Sequence, residues 1–234
     1  MPQQPSNAYA IGTLMCQATR DILWTPAKHS VRDRNPNARL ALRVGSGQAT
    51  YHRFDPREKK HLINYGSKMI VAKQRPETAQ GWLSTREIRG KGYFGGEVSV
   101  LNLLAHTCCH EFAHLLQHSA GQRHYGSVHN RYFYGFLDEL HRNGSATATR
   151  RFLAEKAQTL GIDLPTTVFA LPAHAIEQRR WQAGDPVSFG NGAHRKIGQI
   201  VRVNRKTCTV VVSGRAGALH YRVPLALLKP GPAS

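Results

Sequence analysis

The chain is short of acid: 14 aspartates and glutamates stand against 32 lysines and arginines in 234 residues, a formal charge of +18. A surface so unbalanced repels basic partners and favours a polyanion such as nucleic acid. The excess is +6 over residues 1–60, +4 over 61–176 and +8 over 177–234, so it is densest in the tail. Cysteine is scarce as well. Cys16, Cys108, Cys109 and Cys208 form no C-x-x-C pair, and two of them are adjacent in one apolar stretch. That spacing excludes a zinc ribbon and a disulfide framework, and reads as reduced core thiols in a cytoplasmic setting. Long hydrophobic runs are missing, and Met1-Pro2-Gln3-Gln4-Pro5 places no cationic region ahead of an apolar one. Neither a membrane anchor nor a signal peptide is therefore expected.

What is present divides in two. Up to about residue 176 the texture is mixed. Ser6 is placed to cap a helix carrying Ile11, Leu14, Met15, Ala18 and Ile22, which ends by Pro26, with a loop over Arg32 to Pro36. Strands are expected at Leu40–Val44 and Ala49–Phe54, and a hairpin pairing Leu62–Tyr65 with Met69–Ala72 about Gly66-Ser67. The Gly90–Gly96 run reads as a loop; it lacks the G-x-x-x-x-G-K-[ST] order that cradles phosphate. A helix over Val98–His118 buries Leu101, Leu104, Ala105, Cys108, Phe112 and Leu115. Another begins near Asn130 and presents Phe133, Phe136, Leu137 and Leu140, and a third follows Ser145. Beyond Trp181 come short β-type runs, Asp185–Phe189, Gly198–Val203, Cys208–Val212 and His220–Val223, separated by turns. Such spacing predicts a small β-barrel, with a basic turn at Asn204-Arg205-Lys206 suited to a polyanion.

The chemistry concentrates in His110-Glu111-Phe112-Ala113-His114. On a helix, residues four apart share a face, so His110 and His114 can grip one metal ion while Glu111 stands beside them to take a proton from water. His106 and His118 extend the stripe, but neither is followed by a carboxylate, so they are expected to support the site or face solvent. A catalytic zinc takes a third protein ligand. A third histidine six residues after the second would fall on Ala120, which excludes that arrangement. Glu139, His124 and His129 remain, and His129 directly precedes a helix whose Phe133 faces the core. Tyr125, Tyr132 and His106 are candidates to donate to a developing oxyanion. Asp138 and Glu139 are candidates to orient a ligand histidine.

His110-Glu111-x-x-His114, fourteen intervening residues and His129-Asn130-x-x-Phe133 resemble the SprT-like metallopeptidases, including the Spartan group. The resemblance spans roughly Val31 to His141. It departs from the family at Asn130, where a glycine is usual, and in lacking a C-x-x-C zinc ribbon. It implies Zn2+ held by His110, His114 and His129, with Glu111 as general base. It also implies an α+β chain: a zincin-like domain over 1–176, made of a small sheet and the motif helix, followed by a small SH3-like β-barrel over 177–234. The implied activity is that of a DNA-associated zinc endopeptidase of the cytoplasm or nucleoid. Its expected targets are proteins bound or crosslinked to single-stranded or junction DNA, as in DNA repair. Two alternatives are a zinc peptidase acting on soluble proteins without DNA, and a nucleic-acid-binding protein whose metal site is not catalytic.

Overall fold

In a computed structural model the described residues are 7–124, 128–171, 181–190, 195–204, 207–214 and 217–231. The chain divides into two compact units, 1–171 and 172–234, each with its own core. The boundary expected at 176/177, the cap at Ser6 and the Arg205-Lys206 turn lie outside the described residues.

The first unit opens with α1 (Asn7–Ala18), whose Ile11, Leu14, Met15 and Ala18 are buried as their spacing predicts. Pro26 does not end this run. The backbone widens into a π-helical turn over Thr19–Trp24 and continues as α2 (Thr25–Arg34), with Pro26 in its first turn. A proline there forfeits only an N–H that a helix start leaves unpaired. The N–H and hydroxyl of Thr25 both donate to Arg20 O, closing the widened turn. The expected Arg32–Pro36 loop therefore begins as helix. A three-stranded sheet follows: β1 (Arg39–Gly45), β2 (Tyr51–Asp55) and β3 (Lys60–Gly66), in the order β1-β3-β2, with β3 parallel to β1 and antiparallel to β2. α1 lies close on this sheet. A Cβ at Gly12 would come within 2.8 Å of both Val44 methyls, so only glycine fits there.

The expected hairpin about Gly66-Ser67 is not formed. Residues Ser67–Ala72 are a short helix, α3, that buries Met69 and Ile70. β3 already has a strand on each side, so the segment after it has no edge to pair with and satisfies its backbone locally. α4 (Pro76–Ala79), α5 (Leu83–Lys91) and a 3-10 turn at Tyr93–Gly96 come next, the last built on left-handed Gly92, Phe94 and Gly95. The motif helix α6 (Val100–Ser119) is buried along almost its whole length, with Ser99 Oγ accepting from Asn102 N at its start. α7 (Arg131–Arg142) and α8 (Ser145–Thr159) complete the shell around it. The four cysteines are free and buried.

The second unit is one antiparallel sheet: β4 (Pro186–Phe189), β5 (Lys196–Val203), β6 (Thr207–Gly214), β7 (Gly217–Pro224) and β8 (Lys229–Pro230), in the order β7-β6-β5-β4-β8. Val187, Ile200, Cys208, Val210, Val223 and Leu228 form its core. The outer strands β7 and β8 do not pair with each other among the described residues, so the sheet is not a closed barrel. The molecule is thus mixed α+β with two sheets. No helix among the described residues is long and apolar enough to cross a membrane.

Candidate metal centre

α6 and α7 bring His110, His114 and His129 together. Nε2 of His129 lies 3.1 Å from Nε2 of His114 and 3.2 Å from Nε2 of His110. Tetrahedral zinc–imidazole bonds of about 2.0–2.1 Å put ligand nitrogens roughly 3.3–3.4 Å apart, so the triad is close to the spacing a metal requires. Phe133, fully buried, packs beneath all three rings with centroids 4.3 to 4.9 Å away.

The other ring nitrogens fix the tautomers. His110 Nδ1 is 2.9 Å from Glu87 Oε2, which can only accept while ionised, so this nitrogen carries the proton and Nε2 presents a lone pair. His114 Nδ1 faces Gln117 Oε1 at 3.5 Å. The Gln117 amide nitrogen donates to Val128 O, Asn130 Oδ1 and Gln122 O, which identifies its oxygen as the atom toward His114. His114 Nε2 therefore also presents a lone pair. A single proton on His129 cannot satisfy both facing lone pairs fully, whereas one cation satisfies all three nitrogens. The donor set and its spacing thus fit Zn2+.

The backbone around His129 is fixed from both sides. Gln117, fully buried, binds Val128 O, and the side chain of Asn130 caps α7 by accepting from Tyr132 N and Phe133 N. Asn130 has φ −89°, an ordinary value that asks for no glycine.

No family model matches the chain, and no curated protein matches it. Among solved structures, a GST-like protein from Pseudomonas syringae aligns at 15% identity over 97% of this chain and 68% of that chain. Its TM-score of 0.20 is too low to carry an argument about fold or activity.

Glu111 is 6% exposed. Burial pushes its carboxyl above the ordinary range, opposed by His110, Lys73, Arg123 and the His52 backbone N–H. Its Oε2 has no hydrogen-bond partner among the described residues. A basic oxygen held beside a metal triad with a free lone pair can accept a proton from water. Glu87, on α5, went unseen in the sequence because its stretch carries no motif and no clear period. It binds His110 and also His106, whose Nε2 lies 2.9 Å from the same Oε2. Burial would raise the Glu87 carboxyl, but these two bonds outweigh it and hold it well below the usual carboxylate range.

The remaining candidates sort by position. His106 is fully buried between Glu87 and His141, so it supports the centre and is closed to an oxyanion. Tyr132 is exposed, its hydroxyl accepting from Arg131, and Tyr125 lies outside the described residues. Asp138 accepts from Tyr93 and Lys91, and Glu139 pairs with Arg142 at the surface. Neither orients a ligand, and Glu139 is not in the triad. His124 is exposed, with its ring centroid 6.3 Å from that of Tyr132. His118 lies with His52, His61 and Phe54 where α6 meets the sheet.

Proposed function

We propose that the chain is a zinc-dependent endopeptidase of SprT-like type, working on proteins associated with DNA. The observation that carries the peptidase reading is the convergence of three histidine Nε2 atoms beside a buried carboxylate that binds none of them. A purely structural site has no use for such a base. Bound there, Zn2+ supplies Lewis acidity toward a carbonyl and acidifies water. Glu111 then takes the water proton and delivers it to the leaving amine, while Glu87 and Gln117 keep His110 and His114 aimed. Burial of Glu111 raises its basicity, which suits it to hold a proton between those two steps.

The DNA association rests on charge. The +18 balance draws the chain to a polyanion, and two exposed surfaces concentrate it. One is the groove of about 580 Å3 lined by Arg32, Arg39, Arg57 and Lys59 against a single acid, Glu58. The other is the outer face of β5–β7, where exposed Arg202 and Arg222 both pair with Thr209, one from each side. DNA binding would hold the enzyme near a DNA-bound target and raise their effective concentration.

The deciding experiment compares the zinc-loaded chain with Glu111→Gln on a basic DNA-binding protein, with and without single-stranded DNA. Cleavage that needs both Glu111 and DNA is expected. Glu111-dependent cleavage indifferent to DNA would remove the DNA half of the proposal. Zinc and DNA binding without cleavage would leave a binding protein.

A further inference from the structure

Beside Glu111 the surface opens into a cleft of about 180 Å3, with His110 and Glu111 on one wall and Met69 and Trp82 on another. Two of its polar groups lack what burial demands. Ser84 is 7% exposed, and its Oγ has no hydrogen-bond partner among the described residues. Lys73 is 3% exposed and lies 5.4 Å over the Trp82 ring. Its Nζ donates to Thr107 Oγ1, the one hydrogen-bond acceptor it has among the described residues. Thr107 in turn gives its proton to Leu103 O at 2.7 Å. An ammonium carries three donors, so this one, like the Ser84 hydroxyl, is under-used in a place closed to bulk water. Buried donors left without acceptors are costly and rare. The carboxylates of Glu111 and Glu87 act on Lys73 through charge without a hydrogen bond to it, so the donors left over line a cleft that opens onto reacting groups, where a ligand can supply the acceptor.

We infer that this cleft is a specificity pocket for a substrate residue with a side-chain carboxylate, glutamate or aspartate, flanking the bond to be cut. The inference rests on the peptidase reading and names the substrate class for that site. Met69 and Trp82 give an apolar wall for the methylenes, and Lys73 and Ser84 supply donors for the carboxylate. Cavities of ~150 Å3 hold benzene-sized ligands, so a glutamate side chain has room. A lysine side chain would bring a second cation against Lys73 in a site of low dielectric, where like charges repel strongly. On a basic protein target, cleavage would then fall at the few acidic positions.

The test uses the zinc-loaded full chain and peptides identical except for Glu, Gln, Leu or Lys at each position flanking the scissile bond. At one of the two positions, kcat/KM is expected to be at least tenfold higher for Glu than for Leu and higher still over Lys, with most of the difference in KM. Lys73→Met, an apolar residue of similar length, should lose that preference: the ratio of kcat/KM for the Glu peptide over the Leu peptide is expected to fall to about one, whatever the change does to both rates through Glu111. An independent arm titrates succinate into the full-length Glu111→Gln protein by calorimetry, with and without Lys73→Met. Binding that disappears with Lys73 supports the pocket even if no peptide is cut, an outcome that would sink only the peptidase reading. Cleavage without a Glu preference, or a preference that survives Lys73→Met with an unchanged melting temperature, overturns the pocket and leaves the peptidase standing. Neither cleavage nor succinate binding overturns both.

Discussion

Glu87 does more for the candidate metal centre than its distance in sequence suggests. One oxygen accepts from His110 Nδ1 and from His106 Nε2, and His106 Nδ1 then accepts from His141 Nε2 at 3.1 Å. A single buried carboxylate so sets the tautomers of three histidines, ending at a half-buried ring that stacks on Tyr93 at 3.8 Å. Loss of such support to a ligand histidine typically lowers metal affinity about 10–100-fold. Glu87→Ala should do so in a chelator competition for zinc, and it also leaves His106 without its acceptor. Affinity within a factor of two of wild type would show that Glu87 is not a support of the centre. Glu111→Gln should behave oppositely, keeping zinc affinity within a few fold while abolishing cleavage, because its side chain makes no bond to a ligand ring. The two carboxylates had unequal visibility in the sequence. Glu111 is marked by the histidine before it, whereas Glu87 acquires meaning only when α5 is laid against α6.

At the scale of elements, the junction of α6 and α7 is where the triad closes. Asn130 accepts two backbone N–H groups at the start of α7, directly after His129. Replacing such a cap by alanine costs about 1 kcal/mol, and by glycine only a few tenths. Asn130→Ala should therefore lower both the metal-free stability and zinc affinity, with Asn130→Gly close to wild type. Equal zinc affinity in all three would mean that the cap does not position His129. The H-E-x-x-H spacing and the Phe133 period pointed to the two helices, while the choice of His129 over His124 and Glu139 came only with the family resemblance. The sequence did not reveal the helix after β3, because Met69-Ile70-Val71-Ala72 has strand-like composition and only the occupied edges of β3 turn it into a helix. Pro26 misled for a related reason, since a widened turn before it removes the penalty a proline normally imposes.

A second consequence at this scale follows from the histidines packed between the sheet and α6. His52 Nε2 and His61 Nδ1 are 2.9 Å apart, and His61 Nε2 and His118 Nδ1 are buried without partners among the described residues. Arg123 lies 3.0 Å from the other nitrogen of His52. Burial, then the neighbouring cations, pushes His52 down to about 2, and burial with His118 pushes His61 down to about 4. In the unfolded chain both protonate near 6.5. Below that pH the unfolded state binds more protons, so stability is full above about 6.5 and falls as pH drops toward the folded values. For His61 alone the loss between 6.5 and 4 is on the order of 3 kcal/mol. Urea midpoints should decline steadily across that window, and less steeply in His61→Phe. A flat profile from pH 7 to 4 would contradict this.

For the whole molecule the governing quantity is charge, and it was legible from composition while its placement was not. The tail carries the largest excess, yet the first unit also gathers Arg32, Arg39, Arg57 and Lys59 around one groove, on residues spread over α2, β1 and the β2–β3 turn. No sequence window shows that gathering, because the sheet order assembles it. Each phosphate neutralised releases counterions and adds about 0.9 to the slope of log K against log salt for duplex DNA, or about 0.7 for a single strand. Binding of the full chain to single-stranded DNA should weaken steeply between low and moderate salt. Arg32→Ala, Arg39→Ala and Arg57→Ala together should cut the slope by up to about 2 if the groove holds the backbone. Arg202→Ala with Arg222→Ala should cut it by up to about 1.4 if the β5–β7 face does. Where both variant sets reduce the slope, both surfaces contact phosphates, and their combination should reduce it by about the sum of the two. A slope unchanged by either set would place the phosphate contacts elsewhere on the chain and dissociate its positive charge from the recognition proposed for these two surfaces.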